Sequence, residues 1–301
     1  MLPRSLPDGE DVFLPVPGGA IFNTAIALGR LGEKPLFFSG LSTDMFGEKL
    51  AAALEESGVD HSLCIRSNRP TTLAFVTLKD GHAQYAFHDE GTAGRMFGPD
   101  DLPVIPEDVN ALHFGAISLI SEPCGSAYEA LAAREHQSRI ISLDPNIRPG
   151  FVSDETGYRE RLSLMIGLAD IIKISDEDLA WLVPDFGSAA DFEAIAGKWL
   201  AGGASLVMLT RGGDGALAHC HAGSIAVPAN QSQVVDTVGA GDTFNAGLLA
   251  GLDRAGMLTK QGLREAAPEA IEGALRLATK VAGITVSRAG ANPPWAHELT
   301  D

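Results

Sequence analysis

The run Val234-Val235-Asp236-Thr237-Val238-Gly239-Ala240-Gly241-Asp242-Thr243-Phe244-Asn245-Ala246-Gly247 decides how the rest of the chain is read. A short apolar segment, read as a strand, enters small residues and continues as a helix through Leu248, Leu249 and Leu252. Glycines at 239 and 241 let backbone N–H groups come close to a ligand, because no Cβ stands between them. The helix start adds unpaired N–H groups and the positive end of its dipole, a combination that favours an anion such as phosphate. Asp242 is the odd member. A carboxylate is stabilised at a helix start but repels a phosphate unless it has a task of its own. The same residues also describe a tight strand-to-helix turn capped by Asp242 and Thr243.

The chain has 301 residues, enough for a substantial core, and a formal net charge of −17. That charge argues against nucleic acid or an anionic membrane as the main partner. Hydrophobic residues at 45% and charged residues at 20% are those of a soluble globular protein. Cys64, Cys124 and Cys220 are odd in number and lack metal-ligand spacing, which points to a reducing, cytoplasmic setting. No apolar run approaches the ~20 residues of a membrane span, and no signal peptide opens the chain.

Outward from the opening run, strands alternate with helices. Val12–Val16 is a candidate strand, and Gly18-Gly19 open a helix from Ala20 to Arg30 that Gly32 closes. Residues 35–40 read as a buried strand, and Ser42-Thr43-Asp44 cap a helix that stops at Gly58. Thr71–Lys79 and His82–His88 form a hairpin around Asp80-Gly81. Strands follow at 112–117, 139–144, 171–174 and 206–209, with helices between them and a β-rich stretch to Val227. Such alternation indicates a parallel sheet covered on both faces, with ligands at the carboxyl ends of its strands. The loops 145–149, 175–178, 210–215 and 236–242 all follow strands. No Lys-Ser/Thr pair follows Gly241, and no three-glycine dinucleotide fingerprint is present.

Asp236-Thr237-Val238-Gly239-Ala240-Gly241-Asp242-Thr243-Phe244 closely resembles the second signature of the PfkB/ribokinase-like carbohydrate kinases. Gly18-Gly19-Ala20-Ile21-Phe22-Asn23-Thr24-Ala25 to Gly32, then Gly40 and Asp44 to Gly47, resemble the first. The resemblance spans residues 1–301. It implies an α/β, ribokinase-like three-layer sandwich with a central, mostly parallel sheet. A small β-sheet lid is expected at about 10–17 and 69–92, its outer face serving a homodimer.

The resemblance also assigns roles. Asp242 is expected to take the proton of the sugar hydroxyl that attacks the γ-phosphate of ATP. The N–H groups of Gly239, Ala240 and Gly241 hold the transferring group, assisted by Arg148. A helix start should lower the pKa of Asp242, which suits a loose transition state that needs a proton acceptor only late. Gly18, Gly19, Asn23, Asn146 and Phe87 are expected to contact the sugar. Thr210, Gly212, Gly215 and Thr237 are expected to lie along ATP. Ser175 and Asp178 stand where relatives show Asn-x-x-Glu for Mg2+, although an acidic helix start explains them equally well. The Ser that completes a monovalent-cation site in some relatives is replaced near Pro294, which argues against cation activation.

Asp144-Pro145-Asn146-Ile147-Arg148 resembles a motif of fructokinases and ketodeoxygluconate kinases. The wider run from Arg69-Pro70-Thr71-Thr72-Leu73-Ala74 through it looks most like bacterial fructokinases, and Asp89 should repel an acid sugar. The expected reaction is phosphorylation of D-fructose at its 6-hydroxyl. A 2-keto-3-deoxygluconate or nucleoside kinase and a non-catalytic sugar or nucleotide binder are the alternatives. Relatives usually begin with a strand ending in Gly-Glu-x-x-x-Asp, whereas this sequence starts at Met1-Leu2-Pro3-Arg4. That central strand and one sugar ligand are therefore expected to be absent, with weaker sugar binding and lower stability.

Overall fold

Residues 1–6, 8–79, 82–184 and 186–299 are described by the computed structural model. The first of them form a hairpin, β1 (Leu2–Ser5) antiparallel to β2 (Asp11–Leu14). Sequence pattern predicts one strand there, not two. Helix α1 (Ala20–Arg30) has the bounds the sequence predicts, starting at Gly19 and followed by Gly32 at φ 89°. The strand expected over 35–40 is not formed. Leu36 makes one bridge to Asp60, and regular pairing starts only where β3 (Gly40–Ser42) runs parallel to β4 (Ile65–Ser67). The apolar run there marks burial without a ladder. Phe37 packs edge-on to Phe22, and Phe38 packs on Phe97 and Tyr128 in a different cluster.

Helix α2 (Met45–Glu56) is capped by Asp44, whose carboxylate accepts the N–H groups of Phe46 and Gly47. Strands β5 (Leu73–Lys79) and β6 (His82–His88) pair antiparallel from Leu73↔His88 to Lys79↔His82. The turn expected at Asp80-Gly81 lies outside the described residues. The two hairpins meet edge to face at Phe13 and Phe75, with ring centroids 5.1 Å apart. The amino terminus of Met1 also donates to Ala74 O at 2.7 Å. Together they make the lid.

From β7 (Ala111–Gly115) onward the alternation predicted from sequence holds. Helix α3 (Cys124–Glu135), β8 (Ile140–Asp144), α4 (Glu155–Leu168) and β9 (Ile171–Ser175) follow in turn. Helices α5 (Asp176–Leu182) and α6 (Ala189–Ala201) then precede β10 (Leu206–Thr210), β11 (Ala216–Cys220) and β12 (Gly223–Val227). The chain closes with α7 (Ala240–Arg254), α8 (Lys260–Arg264) and α9 (Pro268–Val286). The strands form a six-stranded sheet in the order β12-β11-β10-β9-β8-β7, parallel from β7 to β10 and antiparallel beyond. The strand expected from the apolar run Val234-Val235 just before α7 is not formed. Val234 and Val235 are 63% and 59% exposed, and the N–H groups of Val235 and Asp236 both donate to Val286 O instead.

Strand residues alternate between two helical layers, as the pleat requires. Ile141, Leu143, Ile172, Ile174, Val207 and Leu209 pack with residues of α3, α4, α5 and α6. Ile140, Ile171, Leu206 and Met208 pack with Phe244, Leu248, Ile271 and Leu275 of α7 and α9. The same alternation puts Ser142, Asp144 and Lys173 on the α7 side, near the carboxyl ends of their strands.

Helices α7 and α9 lie so close that a Cβ at Gly247 would stand 2.7 Å from Cα of Ala278. Gly247→Ala is therefore expected to lower stability by about 1–3 kcal/mol through overpacking. Helix propensity alone predicts the opposite, a gain of about 1 kcal/mol. Urea unfolding measures the sign, and a stabilised variant would rule out the close packing.

Candidate active site

The two glycine-rich motifs converge at the starts of α1 and α7. Gly239 adopts the left-handed conformation, φ 79°, that lets the chain turn into α7. A Cβ there would stand 2.6 Å from Cβ of Ala291, so both the dihedral and the space demand glycine. The 290 segment is held in place by Asp236, which accepts the N–H groups of Val238 and Gly290. Gly239, Gly241 and Asp242 present N–H groups with no acceptor among the described residues. Ala240 differs from the sequence expectation, since its N–H donates to Thr237 O at 3.2 Å.

Asp242 begins the inward face of α7 and is 7% exposed. Asn23, one turn into α1, donates its Nδ2 to Asp242 Oδ2 at 2.8 Å, and Thr24 Oγ1 donates to Asp242 O at 3.0 Å. Asn146 approaches the other carboxylate oxygen at 3.5 Å from a positive-φ backbone, φ 42°. Its loop is pinned by Asp178 of α5, whose Oδ1 accepts the N–H of Ile147 at 2.7 Å. Gly18 and Gly19 are exposed beside this group, and an added Cβ on Gly18 would lie 3.8 Å from Asn23 Oδ1.

Burial raises the pKa of Asp242 from 3.8 to about 6, the Asn23 hydrogen bond opposes it, and the charge of Asp144 adds to it. Lys173 and Arg148 pull the other way. The lowered pKa expected from the helix start is thus reversed, because desolvation outweighs the local N–H groups. Arg148 is exposed and makes no hydrogen bond to Asp242; its guanidinium donates to Ile147 O at 2.9 Å.

Beneath Asp242 lies a buried polar group whose roles sequence reasoning missed. Asp144 Oδ2 accepts from Lys173 Nζ at 3.0 Å and from Asn245 Nδ2 at 2.7 Å. Lys173 is 5% exposed. Burial works against its charge, but Asp144, Asp178 and Asp242 outweigh that and raise its pKa. His113, hydrogen-bonded to Ser142 on the neighbouring strand, has its pKa lowered to about 4 by burial and is neutral at pH 7. The signal was available in the sequence: Lys173 is the sole charge in Ile171-Ile172-Lys173-Ile174.

The expected nucleotide residues follow adjacent strand ends, Thr210 standing opposite Ser175 in the β9–β10 register. Gly212 and Gly215 take φ 50° and 84° in a turn closed by Arg211 N and Gly215 O. Thr237 is exposed before α7. Ser175 Oγ accepts the N–H of Asp178 and so caps α5. Burial and Asp144 raise the pKa of Asp178. Among the described residues no cluster of His, Cys, Asp and Glu could by itself hold a metal ion.

Phe87 of the lid sits against Phe151, ring centroids 4.4 Å apart, three residues beyond Arg148. They line a cavity of about 340 Å³ with Asp89, Arg95, Ser121 and Tyr158. Asp89 is not a bare charge. It pairs with Arg95 at 3.3 Å and accepts from Ser121 at 2.8 Å, which offsets the repulsion of acid sugars expected from it.

A model of "pfkB family carbohydrate kinase" matches residues 13–298. A fructokinase of Rhizobium leguminosarum bv. trifolii is 54% identical over 87% of this chain and 79% of its own length. The crystal structure of a fructokinase with bound ATP from Xylella fastidiosa superposes with a TM-score of 0.87 at 29% identity, covering 97% of this chain and 90% of that one. An aminoimidazole riboside kinase from Salmonella enterica, complexed with its riboside and an ATP analog, gives a TM-score of 0.80 at 25% identity, covering 96% and 91%. A match of that extent, on a fold and two glycine motifs that converge on one buried aspartate, places the chain in the PfkB family of carbohydrate kinases.

Proposed function

We propose that this protein is a fructokinase that transfers the γ-phosphoryl group of ATP to the 6-hydroxyl of D-fructose. The observation that carries the reading is the buried Asp242 carboxylate, its pKa raised by burial to about 6, beside the unpaired N–H groups of Gly239, Gly241 and Asp242. Fructose is preferred because the relative sharing 54% identity is a fructokinase. The nucleoside reading stays second, on the likeness to the riboside kinase.

In the reaction, the O6–H bond breaks as its proton passes to Asp242. O6 bonds to the γ-phosphorus, and the bond from that phosphorus to the β-phosphate oxygen breaks, its electrons leaving with ADP. The N–H groups at the α7 start stabilise the charge in flight, with Arg148 supplying a fixed fork of donors. Gly18, Gly19, Asn23, Asn146 and Phe87 hold the sugar, with Asn23 and Asn146 also orienting the base. Thr210, Gly212, Gly215 and Thr237 lie along the nucleotide.

Mg2+ fits as an ion carried by the nucleotide phosphates, since such ions keep several waters and take few protein donors. Ser175 and Asp178 each already accept a backbone N–H, so they suit contact through those waters. When bound, the ion neutralises phosphate charge. The free cysteines and use of ATP support a cytoplasmic setting. Phe13, Leu14 and Val16, each 44–45% exposed on the lid, support homodimerisation through that face.

Incubated with ATP and Mg2+, the protein is expected to phosphorylate fructose well above 2-keto-3-deoxygluconate or nucleosides; the reverse order in a coupled ADP assay removes the fructose reading. Asp242→Asn is expected to lower kcat by ~10²–10⁴-fold with ATP affinity retained. Unchanged kcat would make the protein a binder or its base a different group. The raised pKa of Asp242 leaves the base protonated at low pH. kcat/KM is therefore expected to fall tenfold per unit below pH about 6, and a plateau continuing to pH 4.5 would contradict this. For the dimer, sedimentation should show a monomer for Leu14→Glu; an unchanged mass excludes that face.

A further inference from the structure

Lys173 stands where the reaction reading gives it no task. Its strand neighbours Ile171, Ile172 and Ile174 are apolar and fully buried, and burying an ammonium is unfavourable unless its charge is used or matched. Asp144 matches it, yet Asp144 is itself a buried charge on the same face, and a pair of apolar side chains would fill that space without either desolvation penalty. The position of the ammonium is more telling. A Cβ built on Gly241 would lie 3.0 Å from Lys173 Nζ, and the next atom within 4 Å is Cε of the same side chain. The buried ammonium thus lies beside Gly241, within the peptides whose N–H groups make up the anion site.

We infer that Lys173 is a positioning residue for phosphoryl transfer. Its buried positive charge backs the N–H groups of Gly241 and Asp242, while its link through Asp144 to Asn245 fixes the first turn of α7 over the strand ends. The inference rests on the phosphoryl-transfer reading above. The charge balance supports it. Asp144, Asp178 and Asp242 are all buried around the place where a further anion must arrive, and Lys173 is the buried cation among them. Arg148, the other cation acting on Asp242, is exposed. Without Lys173, an incoming phosphoryl group would meet uncompensated negative charge behind its N–H donors. A side chain on Gly241 would press on this ammonium.

A structural salt bridge and a working charge are separated by replacing both partners. Lys173→Gln combined with Asp144→Asn leaves no unpaired buried charge, so a purely structural pair would be dispensable. The double variant is expected to melt near the wild type and to bind ADP equally well. Its kcat at pH 8, where Asp242 is ionised, is expected to fall ~100-fold, the size of losing one anion-site donor, with the sugar KM little changed. The extra affinity for ADP with aluminium fluoride, a mimic of the phosphoryl group in flight, should fall at least tenfold. Should that variant not fold, Lys173→Met combined with Asp144→Asn serves instead. It likewise leaves no unpaired buried charge, leaves the anion-site backbone untouched, and kcat is expected to drop by the same factor with ADP binding intact. Wild-type kcat and aluminium fluoride affinity in whichever variant folds would overturn the role of Lys173. A wild-type protein that phosphorylates no sugar would instead overturn the reading beneath it, and the aluminium fluoride comparison would still decide Lys173.

Discussion

A carboxylate kept 7% exposed at the start of a helix, with an amide from another helix 2.8 Å away, is the constraint on which this molecule is built. Asp242 and Asn23 lie 219 positions apart in the chain. Their hydrogen bond requires α1 and α7 to cross at their first turns. That crossing needs Gly239 to turn at positive φ against Ala291, and α7 to nest on α9 where Gly247 meets Ala278. The apolar layer between the sheet and α7 holds these helices over the carboxyl ends of β8 and β9. The fold thus delivers one buried carboxylate and a row of unpaired N–H groups to the same point.

Delivery has an energetic cost. Moving the pKa of Asp242 from 3.8 to about 6 means that the ionised form is less stable folded than unfolded by roughly 3 kcal/mol. Because the folded-state value is raised, that cost is absent below about pH 4 and full above about pH 6. The surroundings limit it without abolishing it. Asn23 donates directly, and Lys173 contributes charge from below. A carboxylate left fully to the helix N-terminus and water would be easier to fold and a poorer base.

The parts legible in the sequence were those set by local rules. Helix α1 ran from Ala20 to Arg30 as its glycine borders indicated, and α2 took Asp44 as its cap. The parallel strands 140–144, 171–175 and 206–210 were readable as short, predominantly apolar runs alternating with helical stretches. Errors arose where the deciding partner was distant. Residues 35–40 looked like a strand because they are buried, but Phe37 and Phe38 serve different clusters and no long ladder neighbours them. β1 was invisible because its partner β2, not its own pattern, makes it a strand. The pKa of Asp242 was misjudged in sign because the dipole of α7 is local, whereas the desolvation comes from other elements. Lys173 was passed over although it interrupts an apolar strand, a pattern with few explanations other than a buried partner.

The reactive end and the distal end of the site are set by different physics. Asp242, Asn23 and the α7 start are fixed by packed helices, and in the proposed reaction the geometry there would serve any primary hydroxyl brought to it. The lid cavity is bordered by Phe87 and Phe151 and by the Asp89–Arg95–Ser121 group. An ion pair whose members satisfy one another carries little net field, so it offers donors and acceptors to hydroxyl groups without selecting a charge. Arg95 also donates its Nε to the carbonyl of Glu122, which ties the segment after the lid to the loop before α3. A fold shared with a riboside kinase is therefore compatible with a different acceptor, because the elements that make the base and anion site are not those that line the far end.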